Sequence, residues 1–445
     1  MWNLIMRTHV DLGLFHSALS VYKRMRQKGV PHDGFTFPVV NRALSCMRVG
    51  VMCGKMIHCV ATQMGLDGDL YFCNTMIDFY VKCGCVGNAR RVFDEMLQRD
   101  VVSWTLMIGG YGSERDVGSA EEVELLFSEL NMKDVVSWNI LISFYSSEGD
   151  ARKVAGLLKE MQGFKVHLWN IETLTLVISA FAKSGSLCEG EGVHGLVIKT
   201  GFCDDVLLTS LLDFYAKCGK LETSVQLFSE IHFKNVVAWT TMIEGLGSHG
   251  FGFDALKYFQ LMIEQRVNPN SVTFLSLLSA CSHSGLVREG CNIYHSMKWD
   301  FGIEPALDHH TCIVDLFGRC GMLKEALATI LKMITLPDSR IWSALLAASR
   351  VYGNKFFGEY AAQRLLELEP DNVGYYTLLS NVKACVGKWN EVEELRRVMS
   401  ERDLKKKPGW SCIEVNGVIH GFVSSDKSHP ETEEISKALS RLAQF

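Results

Sequence analysis

The sequence predicts an all-α fold, an α-solenoid built from helix–turn–helix repeats that follow one another along the chain. The first observation is a recurring phrase, because VVSW stands at 101–104 and 135–138 and VVAW stands at 236–239. Trp104 and Trp138 are 34 residues apart, and the 101 residues from Trp138 to Trp239 fit about three such units. Self-similarity at this period is typical of stacked repeats rather than of separate globular domains.

The second observation is the pattern inside one unit, 135–170, which predicts two amphipathic helices joined by a turn. The polar segment 146–150 (SSEGD) interrupts the apolar pattern. The apolar residues fall on one face of each helix: Trp138, Leu141, Ile142 and Tyr145, then Val154, Leu157, Leu158 and Met161. Neither helix could bury its apolar face alone, so neighbouring hairpins must stack.

Composition narrows the functional class. The 445 residues are 48% hydrophobic, include only 8 prolines and carry a formal net charge of −5. This charge argues against binding a polyanion over the whole surface, although it leaves a local basic groove open. Apolar runs such as 135–142 are far too short to cross a bilayer, so no membrane association is expected.

Two further phrases recur in rotation with the first, which indicates three varieties of repeat. An apolar residue followed by His stands at 57–58, 193–194 and 294–295. The other phrase begins with Asp and ends in Cys-Gly: DFYVKCG (Asp78, Cys83), DFYAKCG (Asp213, Cys218) and DLFGRCG (Asp315, Cys320).

The cysteines are predicted to be packing residues. Their number, 15, is odd, and no pair has the C-x-x-C spacing. A small, easily buried side chain before a helix-ending glycine explains Cys83, Cys218 and Cys320 better than metal or redox chemistry does. A reducing compartment is therefore expected.

Units of about 31 to 36 residues that end in Asp or Asn and continue with V-V-S-W resemble pentatricopeptide repeats. The rotation of standard, longer and shorter units resembles the plant PLS subclass, and the resemblance implies a right-handed superhelix. Tetratricopeptide repeats have a similar length, but their W-x-x-L-G-x-x-Y phrase is missing. The predicted array, 1–338, divides into 1–33 (incomplete), 34–69, 70–100, 101–134, 135–170, 171–204 or 171–205, the next repeat to 235, 236–270, 271–306 and 307–338.

The resemblance implies that each repeat faces one RNA base, recognised by its fifth and last residues. A terminal carboxylate accepts from the ring N–H of uracil or guanine, whereas an asparagine amide donates to the ring acceptor of cytosine or adenine. In the family, Asn at the fifth position goes with a pyrimidine and Thr or Ser with a purine. The expected RNA-binding pairs are Asn3 with Asp33 and Asn74 with Asp100 for U, Thr105 with Asp134 for G, Asn139 with Asn170 for C or U, Thr209 with Asn235 and Thr240 with Asn270 for A, and Thr311 with Asp338 for G.

The long repeats are expected to discriminate less. They carry Pro38 with Asp69, Thr175 with Asp204 or Asp205, and Leu275 with Ala306. Pro38 and Leu275 have no side-chain donor or acceptor. With the polarity usual for the family, the expected RNA track is 5′-U-?-U-G-Y-?-A-A-?-G-3′. The residues that wedge a base from both sides in the family are often Val here: Val102, Val136, Val237 and Val272.

N-capping is a second interpretation of every pair. Asp or Asn just before a helix is a common N-cap, and Asn or Thr in a first turn is ordinary. For the set as a whole, base recognition is favoured, because capping alone would not arrange an allowed fifth-and-last pair in most of the repeats outside the long class.

The phrases change after residue 338. Segments 339–372 and 373–403 resemble the E extension of plant editing factors, predicted as two helical hairpins in a domain 339–404, and LLELEP at 365–370 is close to its signature. The last segment, 405–445, resembles the family's PG box followed by a truncated start of an E+ or DYW-type segment. Asn416-Gly417 predicts a type I′ turn in a short β-hairpin, with 418–423 as the returning strand.

No catalytic residue, metal site or cofactor is expected in this chain, and no enzyme activity of its own. The longest family members continue into a DYW cytidine-deaminase domain, which needs H-x-E and a later P-C-x-x-C for zinc. His429-Pro430-Glu431 matches H-x-E, but only 14 residues follow it and none is cysteine.

The resemblance implies a sequence-specific, single-stranded RNA-binding protein of a mitochondrion or chloroplast, the mitochondrion slightly preferred, that selects sites for C-to-U editing. A DYW-type deaminase or other editing factors would be recruited in trans through 339–445. No transit peptide is visible, and Trp2-Asn3 match the fourth and fifth residues of a repeat, so a gene model shortened at its start is expected. An organellar RNA stabilisation or splicing factor and a protein-interaction scaffold are the alternatives.

Overall fold

The computed structural model describes residues 1–47, 51–66, 68–113, 119–130, 133–163, 169–201, 204–385, 387–402, 404, 410–415, 418–423 and 429–442. The chain forms two compact units, Met1–His249 and Gly250–Phe445. Within the described ranges both units are helical, apart from one two-stranded sheet near the C-terminus.

The helices of the first unit succeed one another with short connections. They are α1 (Trp2–Asp11), α2 (Phe15–Gln27), α3 (Thr36–Met47), α4 (Val51–Gln63), α5 (Leu70–Lys82), α6 (Val86–Glu95), α7 (Val101–Ser113), α8 (Ser119–Glu129), α9 (Val135–Glu148), α10 (Ala151–Gly163), α11 (Ile171–Ser184), α12 (Leu187–Thr200), α13 (Asp205–Lys217), α14 (Leu221–Glu230) and α15 (Val236–Ser248).

The second unit continues the same alternation before it reaches the sheet. Its elements are α16 (Gly252–Glu264), α17 (Ser271–Ser284), α18 (Val287–Trp299), α19 (Leu307–Arg319), α20 (Leu323–Lys332), α21 (Ser339–Val351), α22 (Lys355–Leu368), α23 (Val373–Cys385), α24 (Trp389–Glu401), β1 (Trp410–Val415), β2 (Val418–Val423) and α25 (Thr432–Leu442).

The helices pack as the predicted solenoid. In the first unit α9 packs against its hairpin partner α10 and against α11, the first helix of the next hairpin, and in the second unit α19 packs against α20 and α21 in the same way. The predicted face of α9 is buried, since Trp138, Leu141, Ile142 and Tyr145 are each less than 5% exposed. An apolar face that one hairpin cannot cover is covered by its neighbours, as an α-solenoid requires.

The VVSW phrase recurs because its tryptophan packs on the preceding hairpin. The Trp104 ring lies 4.8 Å from Phe93 in a T-shaped contact, and the same contact joins Trp138 to Phe127 and Trp239 to Phe228, always eleven residues earlier in the chain. A cation also lies over each phenylalanine ring, 4.8 to 5.3 Å from its centroid: Arg99, Lys133 and Lys234. Aromatic pairs of this geometry contribute about 0.5–1.5 kcal/mol beyond the area they bury.

The other two phrases recur because they contact each other. Glycine lets α12 approach α13, since a Cβ on Gly190 would meet the Phe214 ring at 2.0 Å, and His194 Nδ1 lies 2.8 Å from the Tyr215 hydroxyl. Gly54 and His58 meet Phe79 and Tyr80 in the same way, with a nitrogen-to-hydroxyl distance of 3.3 Å.

The third copy of this contact exchanges its groups. A Cβ on Gly290 would meet Leu316 at 2.4 Å, and here the tyrosine, Tyr294, belongs to the earlier helix and bonds His310 Nδ1 at 2.7 Å. The segments with the apolar–His phrase and those with the Asp–Cys-Gly phrase therefore form the two sides of one docking contact between successive hairpins.

The helix-ending cysteines occupy the predicted place. Cys218 and Cys320 are C-cap residues, and the glycines after them, Gly219 and Gly321, have φ of 80° and 77°. Both thiols are half-buried rather than fully buried. Burial, with the carboxylates of Asp213 and Glu191 nearby, raises the pKa of the Cys218 thiol, which opposes formation of the thiolate that redox or metal chemistry uses.

The C-terminal elements are two helical hairpins, α21–α24, and an antiparallel β-hairpin. The strand register pairs Trp410 with Val423 and Val415 with Val418. Pro408-Gly409 of the PG box and the predicted Asn416-Gly417 turn lie outside the described residues. Among the residues that are described, no helix combines the length and the apolar character needed to cross a membrane.

The docking contact is testable with two glycines of α12. Gly190→Ala places a methyl group against Phe214, and we expect it to lower the free energy of unfolding by about 1–3 kcal/mol, as overpacking does. Gly192 is the control, because a Cβ there meets nothing within 4 Å. Gly192→Ala should be neutral or stabilising by up to about 1 kcal/mol through helix propensity. Urea denaturation followed by circular dichroism measures both, and equal midpoints would contradict the packing argument.

Candidate nucleic-acid interface

The last residue of most predicted repeats caps the first helix of the next hairpin. In each case a side-chain oxygen accepts a hydrogen bond from a backbone N–H of the first turn, at 2.7 to 3.2 Å. The capping residues are Asp33, Asp69, Asp100, Asp134, Asn170, Asp204, Asn235, Asn270 and Asp338. Ala306 has no such side chain, and the ring of His309 accepts from its backbone N–H instead. The capping interpretation therefore describes the geometry correctly.

Capping also determines which atom each terminal residue presents to a ligand. An N-cap uses one oxygen, Oδ1, as acceptor. A capping aspartate therefore has its second carboxylate oxygen left as an acceptor, whereas a capping asparagine has only its amide Nδ2 left, as a donor. Capping and base recognition are thus compatible, and the cap itself distinguishes the two residue types.

The boundary between two repeats, left open between 204 and 205, falls after Asp204. Asp204 is the N-cap of α13 and accepts from the backbone N–H groups of Val206 and Leu207. Asp205 is the first helical residue, and its carboxylate instead accepts from the backbone of His232 and Phe233. Counted from the residue after this cap, Thr209 stands in the fifth position.

Two of the predicted pairs are joined directly. Asn3 Nδ2 donates to both Asp33 carboxylate oxygens, at 2.7 and 2.8 Å. Asn74 Nδ2 donates to Asp100 Oδ1 at 3.1 Å, and no described residue donates to Asp100 Oδ2. Asn74 is only 8% exposed, so its side chain does not protrude from the surface.

Hydrogen bonds keep these two carboxyls ionised. Burial alone would raise the pKa of Asp33, but donors from Thr36, Asn3 and the first-turn backbone outweigh burial and lower it. In the same way Ser103 and Asn74 outweigh burial and lower the pKa of Asp100. Both side chains are therefore carboxylates, which can only accept, over the physiological pH range.

A hydroxyl on the third residue of the next repeat orients each fifth-position asparagine. Ser103 Oγ lies 2.7 Å from Asn74 Oδ1, and Thr36 Oγ1 lies 3.2 Å from Asn3 Oδ1. Asn139 and Asn170 do not bond each other, but Thr173 Oγ1 bonds both, at 2.7 and 2.8 Å. Because the hydroxyl is bonded to Oδ1 of the fifth residue, the Nδ2 of that asparagine is left to bond the last residue or a ligand.

Three of the pairs with threonine at the fifth position are not joined by a hydrogen bond between the described residues. Thr105, Thr209 and Thr311 each donate the hydroxyl proton to a carbonyl of their own helix, three or four residues earlier, at 2.6 to 3.0 Å. No hydrogen bond joins any of them to its last residue in the described part of the chain. Thr240 is 7% exposed in the first unit, and Asn270 caps α17 in the second.

Exposed apolar side chains accompany the pairs. Val102, Val136, Val237 and Val272, the predicted wedge residues, are between 51% and 56% exposed although they belong to the first turns of packed helices. The same position carries three more exposed apolar side chains, which the sequence analysis did not single out: Phe35, Tyr71 and Val206. Exposed apolar and aromatic groups that recur at one position of the repeat provide surfaces on which bases stack.

Basic groups lie on the same helical face as the pairs. A cavity of about 590 Å³ is lined by Asn74, Asp100, Val102, Asp78 and Lys82, among other residues. Asn74, Asp78 and Lys82 are spaced by four residues on α5, which places them on one face. Lys82 bonds Asp78 at 2.7 Å, and the same (i, i+4) ion pair recurs as Lys217 with Asp213 and Arg319 with Asp315. The recurring Asp of the third phrase is the partner of these cations.

The hydroxyl residues were the functional side chains most clearly missed from sequence. The signal was present, since the serine of VVSW is the third residue of its repeat in both copies, at Ser103 and Ser137. Phe35 and Tyr71 stand at the same repeat position as the valines, and only the residue type differs.

The histidine of the C-terminal His-x-Glu motif contacts residues that lie close to it in the chain. His429 Nδ1 accepts from the Glu431 backbone N–H at 3.1 Å, and the His429 ring lies 5.1 Å from Phe422. Within the described ranges no group of three or more His, Cys, Asp or Glu side chains is placed to hold a metal ion.

Comparison with known families supports the repeat assignment. A model described as PPR repeat matches residues 1–30, 71–101, 102–129, 136–166, 206–236, 272–300 and 309–336, and one described as PPR repeat family matches 234–283. A model described as E motif matches 352–414. A mitochondrial pentatricopeptide repeat-containing protein of Arabidopsis thaliana is 34% identical over 99% of this chain and 78% of that protein. The chloroplastic protein CRR2 of the same plant is 34% identical over 100% of this chain and 63% of that protein.

Solved structures are similar in fold. The pentatricopeptide repeat protein PPR10 in complex with an 18-nt psaJ RNA element matches with a TM-score of 0.69 and 16% identity, covering 91% of this chain and 61% of that one. PPR10 from maize matches with a TM-score of 0.61 and 16% identity, covering 90% and 64%.

The capping geometry predicts different stabilities for two substitutions at one position. Asp134→Ala removes the acceptor for the Ser137 N–H, and we expect a loss of about 0.5–2 kcal/mol in the free energy of unfolding. Asp134→Asn keeps Oδ1 and should remain within a few tenths of a kcal/mol of the parent, because Asn and Asp cap equally well. Thermal or urea unfolding measures both. An equal loss in the two variants would show that the cap is not the stabilising contact.

Proposed function

The chain belongs to the plant pentatricopeptide repeat family, in the PLS subclass with an E-type extension, and from this premise we propose that it binds single-stranded RNA sequence-specifically in an organelle. The observation that carries the proposal is the row of oriented caps. In most repeats outside the long class, an aspartate cap leaves its second oxygen as an acceptor and an asparagine cap leaves its Nδ2 as a donor, beside a fifth residue of matching type. Asp33 and Asp338 differ, because their second oxygens already accept from Asn3 and Arg340. One such pair per repeat is what recognition of one base per repeat requires.

The surface chemistry suits a single strand. Exposed apolar side chains at the second position of successive repeats offer stacking surfaces, and Lys82, Lys217 and Arg319 lie on the face of their helices that carries the fifth residue. These cations supply local attraction to phosphate although the whole chain carries a net charge of −5. The bound PPR10 complex, which the fold resembles, holds an RNA element.

Organellar localisation follows from the family. The relatives include proteins named mitochondrial and proteins named chloroplastic. The slight preference for the mitochondrion stays a prediction.

The finer proposal is that the protein selects sites for C-to-U editing. We place the E extension at 339–404, where α21–α24 form two further hairpins, and the match to the E motif over 352–414 supports it. The deaminase would act in trans, recruited through 339–445, and no catalytic step is assigned to this chain. The E-type extension is the feature that favours the editing role over stabilisation or splicing. A protein-interaction scaffold would need no such fifth-and-last pairs.

Base preference is testable at one pair. Asp134→Asn should change the base preferred opposite repeat 101–134 from G to A, because the capped side chain then presents Nδ2 instead of Oδ2. By analogy with bidentate readout in DNA, the discrimination should be about 1–3 kcal/mol. Binding of four RNA oligonucleotides that differ at that base, on the predicted track and at fixed salt, measures it.

The reverse substitution is the matched control. Asn235→Asp should change its position from A toward G, since it exchanges a donor for an acceptor on a second threonine-type pair. If Asp134→Asn leaves G preferred, the assignment of fifth and last residues is wrong.

The editing role is tested by deleting the gene in the source plant and sequencing organellar transcripts. We expect complete loss of one or a few C-to-U edits just downstream of a match to the predicted track, with the other edits unchanged. Unchanged editing together with altered transcript ends or retained introns would favour the stabilisation or splicing role.

A further inference from the structure

The last predicted pair, Thr311 with Asp338, differs from the others in its surroundings. Asp338 Oδ1 caps α21 through the Ile341 N–H at 3.2 Å, as expected. Its second oxygen, Oδ2, accepts from Arg340 Nε at 2.7 Å. The oxygen that Asp338 would present to a base is therefore bonded by a residue outside its pair, whereas the second oxygen of Asp33 is bonded by its own fifth-position partner, Asn3.

The same arginine bonds a second carboxylate across the pair. One Arg340 terminal nitrogen lies 2.5 Å from Asp308 Oδ1. Asp308 and Arg340 are the second residues of repeat 307–338 and of the following hairpin, the positions that carry exposed valines in other repeats. We call the space between them the tenth slot. Its two flanking side chains are bonded to each other instead of standing apart.

The pair Thr105 with Asp134 provides the comparison within the same chain, because its residue types are identical. Its flanking residues, Val102 and Val136, are apolar and 51% and 55% exposed. No described residue donates to the second oxygen of Asp134, whose Oδ1 caps α9. The two pairs thus share residue types and differ in access.

We propose that the tenth slot is closed by the Asp308–Arg340–Asp338 ion network, so that repeat 307–338 does not select a base and the specific track ends before it. The inference rests on the proposed RNA binding and concerns its specificity. It changes the expected 3′ terminal G of the track to an unselected position. Arginine holds both carboxylates because its planar guanidinium offers several donors in a fixed geometry.

The experiment compares bases at two positions of one RNA with the full chain. Oligonucleotides on the predicted track vary either the fourth base, opposite Thr105 and Asp134, or the tenth. For the parent protein, replacing G at the fourth position should weaken binding about fivefold or more, whereas the four tenth-position RNAs should agree within about twofold.

Two variants then open the tenth slot in steps. The double substitution Asp308→Val with Arg340→Val recreates the valine-flanked setting of Asp134, and G at the tenth position should become preferred about fivefold or more. Asp308→Val alone leaves Arg340 on Asp338, so the tenth position should remain unselected. These side chains are 49% and 60% exposed, and exposed ion pairs contribute little to stability, so the variants should fold.

The outcomes separate the inference from the proposed function. A parent protein that prefers G equally at the fourth and tenth positions would overturn the closed slot, and so would a double variant that gains no preference. Loss of selection at the fourth position as well, or no RNA binding, would instead count against the proposed function.

Discussion

The rest of the structure depends on one hydrogen bond, from a first-turn backbone N–H to the last side chain of the preceding repeat. A helix start leaves backbone N–H groups without intrahelical partners, and these caps satisfy one or two of them at most hairpin junctions, with Ala306 as an exception. Because the cap always uses Oδ1, the bond that begins each first helix also sets whether a donor or an acceptor faces the groove. Stability and proposed specificity therefore share the same atoms.

Packing behind the caps holds them in register. Phe127 and Lys133 precede Asp134 in the chain and Trp138 follows it, and both Trp138 and Lys133 contact the Phe127 ring. The same set flanks Asp100 and Asn235 in the chain. The glycine contacts, such as Gly190 on Phe214, fix how closely successive hairpins approach. The net charge of −5 first argued against a nucleic-acid partner, and it misled because recognition of this kind uses oriented polar atoms and a few cations paired with carboxylates.

Identical residue types can differ in function when their neighbours differ. Thr105 with Asp134 and Thr311 with Asp338 carry the same expected base preference. Of the two terminal carboxylates, however, only that of Asp338 is bonded by an arginine, Arg340. A pairing rule that considers two residues per repeat does not contain this information. Third residues such as Ser103 and second residues such as Val136 and Arg340 therefore belong to the same proposed recognition unit.

The sequence by itself determined the repeat fold, because periodic apolar residues and recurring phrases are local signals. The repeat bounds and the expected pairs stay predictions. The sequence also named capping and base recognition as alternatives for Asp134 and its equivalents. Only the tertiary structure decided that the two are compatible, since that depends on which oxygen faces the backbone. The ion pairs of Arg340 with Asp308 and Asp338 are also visible only in the tertiary structure, because these residues belong to successive hairpins. Charges on separate hairpins meet only when the hairpins stack.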